Sequence, residues 1–372
     1  MRIARGRGRA AALSAVTLIG AGTILSACGS AAGTDDSKGG SAKKSGLSTL
    51  AEGRSRAGGK ACGADAKLMP KCGAYWGIYS VQGASLTSAV TDIEGQVGRQ
   101  FDIVLRFHDF SNTPGPGVFP DASERALGRS RLLFFAWESK LYQKQQSYKW
   151  RDIAAGAYDE SVIKPVAQRI RAYGRKVFMS FDPEMDRHMT KGEMKGNEAE
   201  YVAAARHVHD LFAKAGVTNV VWVWTTTGAI SGDNAQRILN SYPGDAYADW
   251  VGWDPYNFYK CHGTKWHSFD EKVGQTYRFL QKNGLAKKPF ILPEYGTQFD
   301  PADPGRSRQW YREIPGVLRS KYPNIAGLIR FDAGPGCNLK VDNGPGMLGS
   351  YATAGRDAYL NPSGGKPGDA GS

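Results

Sequence analysis

SFDPEMD (residues 180–186) and PFILPEYGT (residues 289–297) are the two stretches on which the reading of this chain turns. Each is an apolar run of strand length that ends in a proline followed at once by a glutamate, Glu184 in the first and Glu294 in the second. Runs of the same kind recur along the chain: AYWGIYS (74–80), FDIVLRF (101–107), RLLFFAW (131–137), KVFMSF (176–181), NVVWVW (219–224), DWVGWD (249–254), PFILPE (289–294) and AGLIRFD (326–332). Parallel strands with helices on both sides are buried on both faces, so they read as near-continuous apolar stretches rather than as alternation.

Helical stripes lie between several of the runs. Ile163, Val166, Ala167, Ile170 and Tyr173 form one that stops at Gly174; Tyr201, Ala205, Val208, Leu211, Phe212 and Ala215 form another that stops at Gly216. Phe269, Val273 and Leu280 mark a third, and Trp310, Ile314, Val317 and Leu318 a fourth, with a kink expected at Pro315. Eight strand-like runs alternating with helices predict an α/β fold, one (β/α)8 TIM barrel over residues 61–362, a length this architecture commonly needs as a single domain.

In such a barrel the reactive side chains stand at the carboxyl ends of the strands. Polar residues collect there: His108 and Asp109, Trp137 with Glu138, Asp182 and Glu184, Thr225, Asp254 and Tyr256, Glu294, Arg330 and Asp332. Singly, each is more often a solvated loop residue or a satisfied ion pair; their joint placement is the signal. Two carboxyls at the ends of two strands suit glycoside hydrolysis, in which one gives a proton to the leaving oxygen and the other attacks or stabilises the anomeric carbon. Period-2 alternation puts Asp254 with Tyr256, and Leu292 with Glu294, so Glu294 is expected to enter the barrel mouth if Leu292 fills the interior. Pro183 and Pro293 are read either as simple strand ends or as bulges that aim the glutamates.

Glu184 needs a neighbouring charge or burial to keep its proton near neutrality, and Glu294 needs a donor such as Tyr256, with Arg106 or Arg330 as further support for its anion. Trp76, Trp137, Trp224 and Trp253 are candidates for stacking on sugar faces, with a plain core role at least as good for Trp224. His108 and Asp254 are candidate substrate contacts. No metal or cofactor is expected: there is no CxxC pair and no phosphate-cradling glycine loop, and His207 and His209 are spaced to diverge on a helix.

The order of runs resembles glycoside hydrolase family 26. The segments that carry the likeness are AYWGIYS, SFDPEMD, RHVHDLFAKAGVTNVVWVW (206–224), DWVGWDPYN (249–257) and KKPFILPEYGT (287–297). The resemblance implies a retaining (β/α)8 hydrolase with Glu184 as acid/base after strand four, Glu294 as nucleophile after strand seven, and Tyr256 as the hydroxyl that contacts the nucleophile. Around Glu184 the chain departs from the family: Pro183 precedes it, Asp186 stands two residues on, and RHMTKG from Arg187 replaces a tryptophan that builds the sugar subsite in mannanases. An endo-acting β-glycanase is expected, with β-1,4-mannan as one substrate among β-1,3-xylan, mixed-linkage glucan and a host wall polymer. A non-catalytic carbohydrate-binding barrel and a two-lobed solute-binding lipoprotein are the alternatives.

The chain ends give a location. Arg2, Arg5, Arg7 and Arg9 precede an uncharged stretch from Ala10 to Ala27, the pattern of a signal peptide (1–27). LSAC at 25–28 resembles the bacterial lipobox, which makes Cys28 the expected lipidated residue, at the outer face of a bacterial membrane with some chain released. Residues 28–60 are rich in Gly, Ser, Ala and Lys and read as a flexible tether; 363–372 read as a disordered tail. Setting Cys28 aside leaves Cys62, Cys72, Cys261 and Cys337, for which three pairings exist; Cys62 with Cys72 and Cys261 with Cys337 are expected. The formal charge of +13 is dispersed rather than clustered with aromatics. That pattern and export argue against a nucleic-acid partner, leaving a polysaccharide, a membrane reached through the lipid anchor alone, and a monomer.

Overall fold

The computed structural model describes residues 63–189, 194–334 and 336–361. Eight strands form the barrel: β1 (Tyr75–Ser80), β2 (Ile103–His108), β3 (Leu132–Trp137), β4 (Val177–Phe181), β5 (Val220–Thr226), β6 (Trp250–Trp253), β7 (Phe290–Thr297) and β8 (Ile325–Asp332). All are parallel, each pairs with the next, and β8 pairs with both β7 and β1, so the sheet closes. Each apolar run of the sequence supplies one strand. A closed barrel removes the two-lobed solute-binding alternative. Among the described residues no helix is long and apolar enough to cross a membrane.

Period-2 alternation sorts the strand side chains into two layers. Ile103, Leu105, Leu132, Phe134, Phe178, Val221, Trp250, Ile291 and Ile329 fill the interior, closed from below by Leu68. Trp76, Val104, Phe135, Trp137, Met179, Trp224, Val251, Leu292 and Leu328 point the other way, into the layer under the helices. Each of these large side chains, fully buried, contributes roughly 1.5–3 kcal/mol by area.

Helices Leu86–Val97, Ala122–Leu127, Glu198–Lys214 and Phe269–Leu280 each begin with a capping box, at Ser85, Asp121, Asn197 and Ser268. Such a cap stabilises a helix start by about 1 kcal/mol, and here it fixes where the chain turns after leaving the barrel mouth. The fourth stripe differs from expectation. Rather than one helix kinked at Pro315, it is two, Pro304–Arg312 and Ile314–Lys321, separated at Glu313. Pro315 sits in the first turn of the second, where its missing N–H costs no hydrogen bond.

Cys261 and Cys337 are bonded, with Cα atoms 5.6 Å apart, joining the loops that follow β6 and β8. Cys28 and Cys62, with the expected signal peptide, tether and 363–372 tail, lie outside the described residues, so neither lipidation nor the Cys62–Cys72 pairing is tested.

Candidate active site

A pocket of about 590 Å³ opens at the carboxyl ends of the strands, lined by residues that include Glu184, Arg187, Trp253, Asp254, Tyr256, Phe258, His262, Lys272, Glu294, Phe331 and Leu339. Both sequence-predicted glutamates face it.

Glu184 reaches the pocket through an unusual backbone. Asp182 and Glu184, either side of Pro183, hold φ of 44° and 54°, the left-handed region that non-glycine residues avoid at a cost of order 1–3 kcal/mol each. Its surroundings hold the segment there. The Asp182 carboxylate, wholly buried, accepts from Ser139 N at 2.7 Å, Trp150 Nε1 at 2.6 Å, Lys195 Nζ at 2.7 Å and the Ser139 hydroxyl. Burial alone would raise this carboxyl, yet Lys195 and the donors bring it below its ordinary value. Glu184 N donates to Thr225 O at 3.0 Å, across to β5. Asp186 is pinned in turn by Thr227 N at 3.0 Å and Asn234 Nδ2 at 2.8 Å.

Glu294 is aimed by register instead. Leu292 pairs with Leu328 but Tyr295 pairs with Arg330, so three residues of β7 face two of β8, a bulge centred on Pro293 and Glu294. The expectation that Leu292 fills the interior is therefore corrected: Leu292 packs outward, Ile291 fills the interior, and the extra residue of the bulge returns Glu294 to the mouth. The Pro293 ring lies against Gly252 of β6, where a Cβ would come within 2.9 Å of Pro293 Cγ. Only glycine admits that approach.

Tyr256, in a short extension after β6 that pairs with Gly296, donates its hydroxyl to Glu294 Oε2. Asp254 Oδ1 accepts from Glu294 N at 2.9 Å, while its other oxygen is buried without a partner. Burial pushes Asp254 well above the usual carboxyl range, and the charges of Glu294 and Glu184 push it further. Burial likewise raises Glu184, with Arg187 opposing and Asp186 adding. Glu294 is pushed up to about 8 by burial and by Glu184, with the Tyr256 hydrogen bond opposing. Two such carboxyls titrate as a pair in which each opposes the other's charge, so one charge is favoured over two. Tyr256 favours that charge on Glu294; Arg187, whose side chain is 68% exposed, favours it on Glu184 through a solvent-screened contact.

The model of the Glycosyl hydrolase family 26 matches residues 201–322, a segment that contains Asp254, Tyr256 and Glu294 and ends short of Glu184 on its other side. Endoglucanase H of Acetivibrio thermocellus is 27% identical over 288 residues, covering 74% of this chain. Family and fold agree. Over residues 201–322 the chain is similar to glycosyl hydrolase family 26. It spans about 30% of the length of Endoglucanase H. Among solved structures, a ruminal GH26 endo-beta-1,4-mannanase is similar with a TM-score of 0.56 at 17% identity, over 77% of this chain and 64% of that one. A Cellulomonas fimi endo-beta-1,4-mannanase double mutant gives 0.56 at 14%, over 80% and 74%. At these identities the structures establish the barrel.

Within this barrel several expected sugar contacts lie elsewhere. Trp76 is buried between Phe101 and Tyr351; Trp137 donates to Asp109 O and packs on Phe110; Trp224 packs on Tyr242. All three point into the helix-facing layer because their parity along the strand is outward. His108 shares that parity and is 2% exposed, with Nε2 2.8 Å from Glu124 Oε1 and its ring stacked on Phe119. Arg330 does not support Glu294: it donates to Tyr311 OH at 2.7 Å and to the carbonyls of Tyr295 and Leu339. Arg106 turns to Glu124. Trp253, Asp254 and Tyr256 do line the pocket.

Arg187, Phe258, His262, Lys272 and Phe331 were not anticipated as pocket residues, and only Phe331, within a strand run, carried a positional signal. Cys261, His262 and Cys337 bring three ligand-type atoms within 4.8 Å of one another, but the two sulfurs are bonded to each other and neither is a thiolate.

Proposed function

We propose that this chain hydrolyses internal O-glycosidic bonds of a β-linked polysaccharide with retention, Glu184 acting as acid/base and Glu294 as nucleophile. The observation that carries the reading is the pair itself: two raised carboxyls from the ends of β4 and β7 face one pocket, and only Glu294 takes a tyrosine hydroxyl. Tyr256, held protonated by burial and by Glu294, steadies the anion that must attack the anomeric carbon. Glu184 gives its proton to the leaving oxygen as Glu294 bonds to the sugar. A water that loses its proton to Glu184 then cleaves the glycosyl ester, restoring both groups, which retention requires to stand roughly 5–5.5 Å apart. The mannanase and endoglucanase likenesses support a β-glycan substrate.

One observation favours a second reading, a non-catalytic glycan-binding barrel. Arg187 on Glu184 stabilises the charged form and so weakens it as an acid. The purified chain, incubated with β-mannan, β-1,3-xylan, mixed-linkage glucan and host wall polymer, is expected to release reducing ends from one of them, and Glu294→Ala to release none. No release from any glycan would move the binding reading ahead.

The chain is further proposed to be exported and held at the outer face of the membrane by a diacylglyceryl group on Cys28, on the strength of the LSAC motif after an uncharged stretch. Cys28→Ala should pass to the medium or lose processing; undiminished membrane retention of that variant would contradict the anchor.

A further inference from the structure

Lys272 stands out among the pocket-lining groups because its charge is not answered. It lies in the first turn and a half of the helix Phe269–Leu280, one turn before Thr276, so both side chains present to the pocket. The helix's own acids are engaged elsewhere: Asp270 pairs with Lys321 at 2.5 Å, and Glu271 caps the helix through Ser268 N at 2.8 Å. Among the described residues, Lys272 Nζ has no hydrogen-bond or ion-pair partner. Burial lowers the ammonium below its usual range and no carboxylate opposes the shift, which sets it apart from the cluster of Glu184, Asp254 and Glu294. A half-buried cation near a helix N-terminus, where the dipole also disfavours it, carries a cost that no group among the described residues offsets.

The rest of the lining is prepared for an anion. Burial and mutual repulsion disfavour the charged forms of Asp254, Glu184 and Glu294, while Arg187 and Lys272 stand on the same lining. His262, stacked on Phe258 at 4.1 Å, and Phe258 on Tyr256 at 4.8 Å, form an aromatic column from the buried Tyr256 beside Glu294 to the exposed His262, its ring edges lining the pocket.

Resting on the glycan-hydrolase reading, we propose that the substrate is an anionic β-glycan, one whose sugar units carry a carboxylate or phosphate, and that Lys272 is the residue that selects it. The ammonium pairs with the substituent while the sugar lies along the Tyr256–Phe258–His262 column. Neutral mannan would leave that cation unpaired.

The test is binding rather than turnover. The full chain carrying Glu294→Gln is titrated calorimetrically with β-linked oligosaccharides of one length that are unsubstituted, carboxylate-bearing or phosphate-bearing, at low and high salt. An anionic oligosaccharide should bind about tenfold tighter than the neutral one at low salt, with the advantage shrinking as salt rises. Lys272→Gln should erase the advantage and Lys272→Arg should keep it within about threefold. Which anionic oligosaccharide binds better names the substituent. Equal affinity for neutral and anionic oligosaccharides, no binding of either, or an advantage that survives Lys272→Gln would overturn the proposal. Because no step depends on cleavage, an intact Lys272-dependent preference in a wild-type chain that hydrolyses nothing would sink the hydrolase reading alone.

Discussion

The ends of β4 and β7 each deliver one glutamate to the same pocket by different physical means. At β4 the delivery is conformational: two residues are held at positive φ by a buried network around Asp182 and Lys195. At β7 it is a matter of register: one extra residue in the strand, admitted by the space at Gly252, turns Glu294 inward without any positive φ. Strain has to be balanced by its surroundings, so the β4 end depends on distant donors. A bulge is written into the strand pairing and depends on its immediate neighbours.

The largest stability effect should follow from breaking the β4 network. Asp182→Ala leaves Lys195, which is 0% exposed, as an unpaired buried charge, and is expected to cost about 3–5 kcal/mol in denaturant unfolding. An effect under about 1 kcal/mol would mean that the network does not hold the left-handed segment. Gly252→Ala tests the other end. Its Cβ would meet the Pro293 ring, and an expected cost of about 1–3 kcal/mol should come with a displaced Glu294 and a lost Tyr256 hydrogen bond, visible in a crystal structure of the variant.

A smaller effect follows from pH. Glu294 is raised from 4.5 to about 8 in the folded chain, so the stability tied to its proton is fully present below about pH 4.5 and is lost as pH rises through about 8. The melting temperature should fall over that window, and Glu294→Gln, which cannot ionise, should fall less. A parallel decline in both would remove Glu294 as the cause.

The barrel was legible because helices cover every strand: each apolar run survived as one strand, and the glutamates after the fourth and seventh runs lay where strand ends must lie. The same double burial hid the side-chain directions. When both faces of a strand are apolar, nothing in the sequence says which parity is inward, so Trp76, Trp137, Trp224 and His108 could not be told from mouth residues. At β7 the bulge reversed the parity between Leu292 and Tyr295, and the right destination for Glu294 was reached from a wrong premise about Leu292. Lys272 was invisible for another reason: a lysine early in an amphipathic helix reads as solvated surface, and only the tertiary arrangement turns it to the pocket.

The most direct test of the central claim, that the two ends carry an acid/base and a nucleophile, is azide rescue on a glycoside with a good leaving group. Departure of such a group needs no protonation, so Glu184→Ala should retain slow turnover, and added azide should accelerate it and yield a β-glycosyl azide by attack on the glycosyl enzyme. Glu294→Ala should form no such intermediate and should show no β-glycosyl azide. A β-azide product from Glu294→Ala, or near wild-type hydrolysis by both variants, would contradict the assignment of the two glutamates.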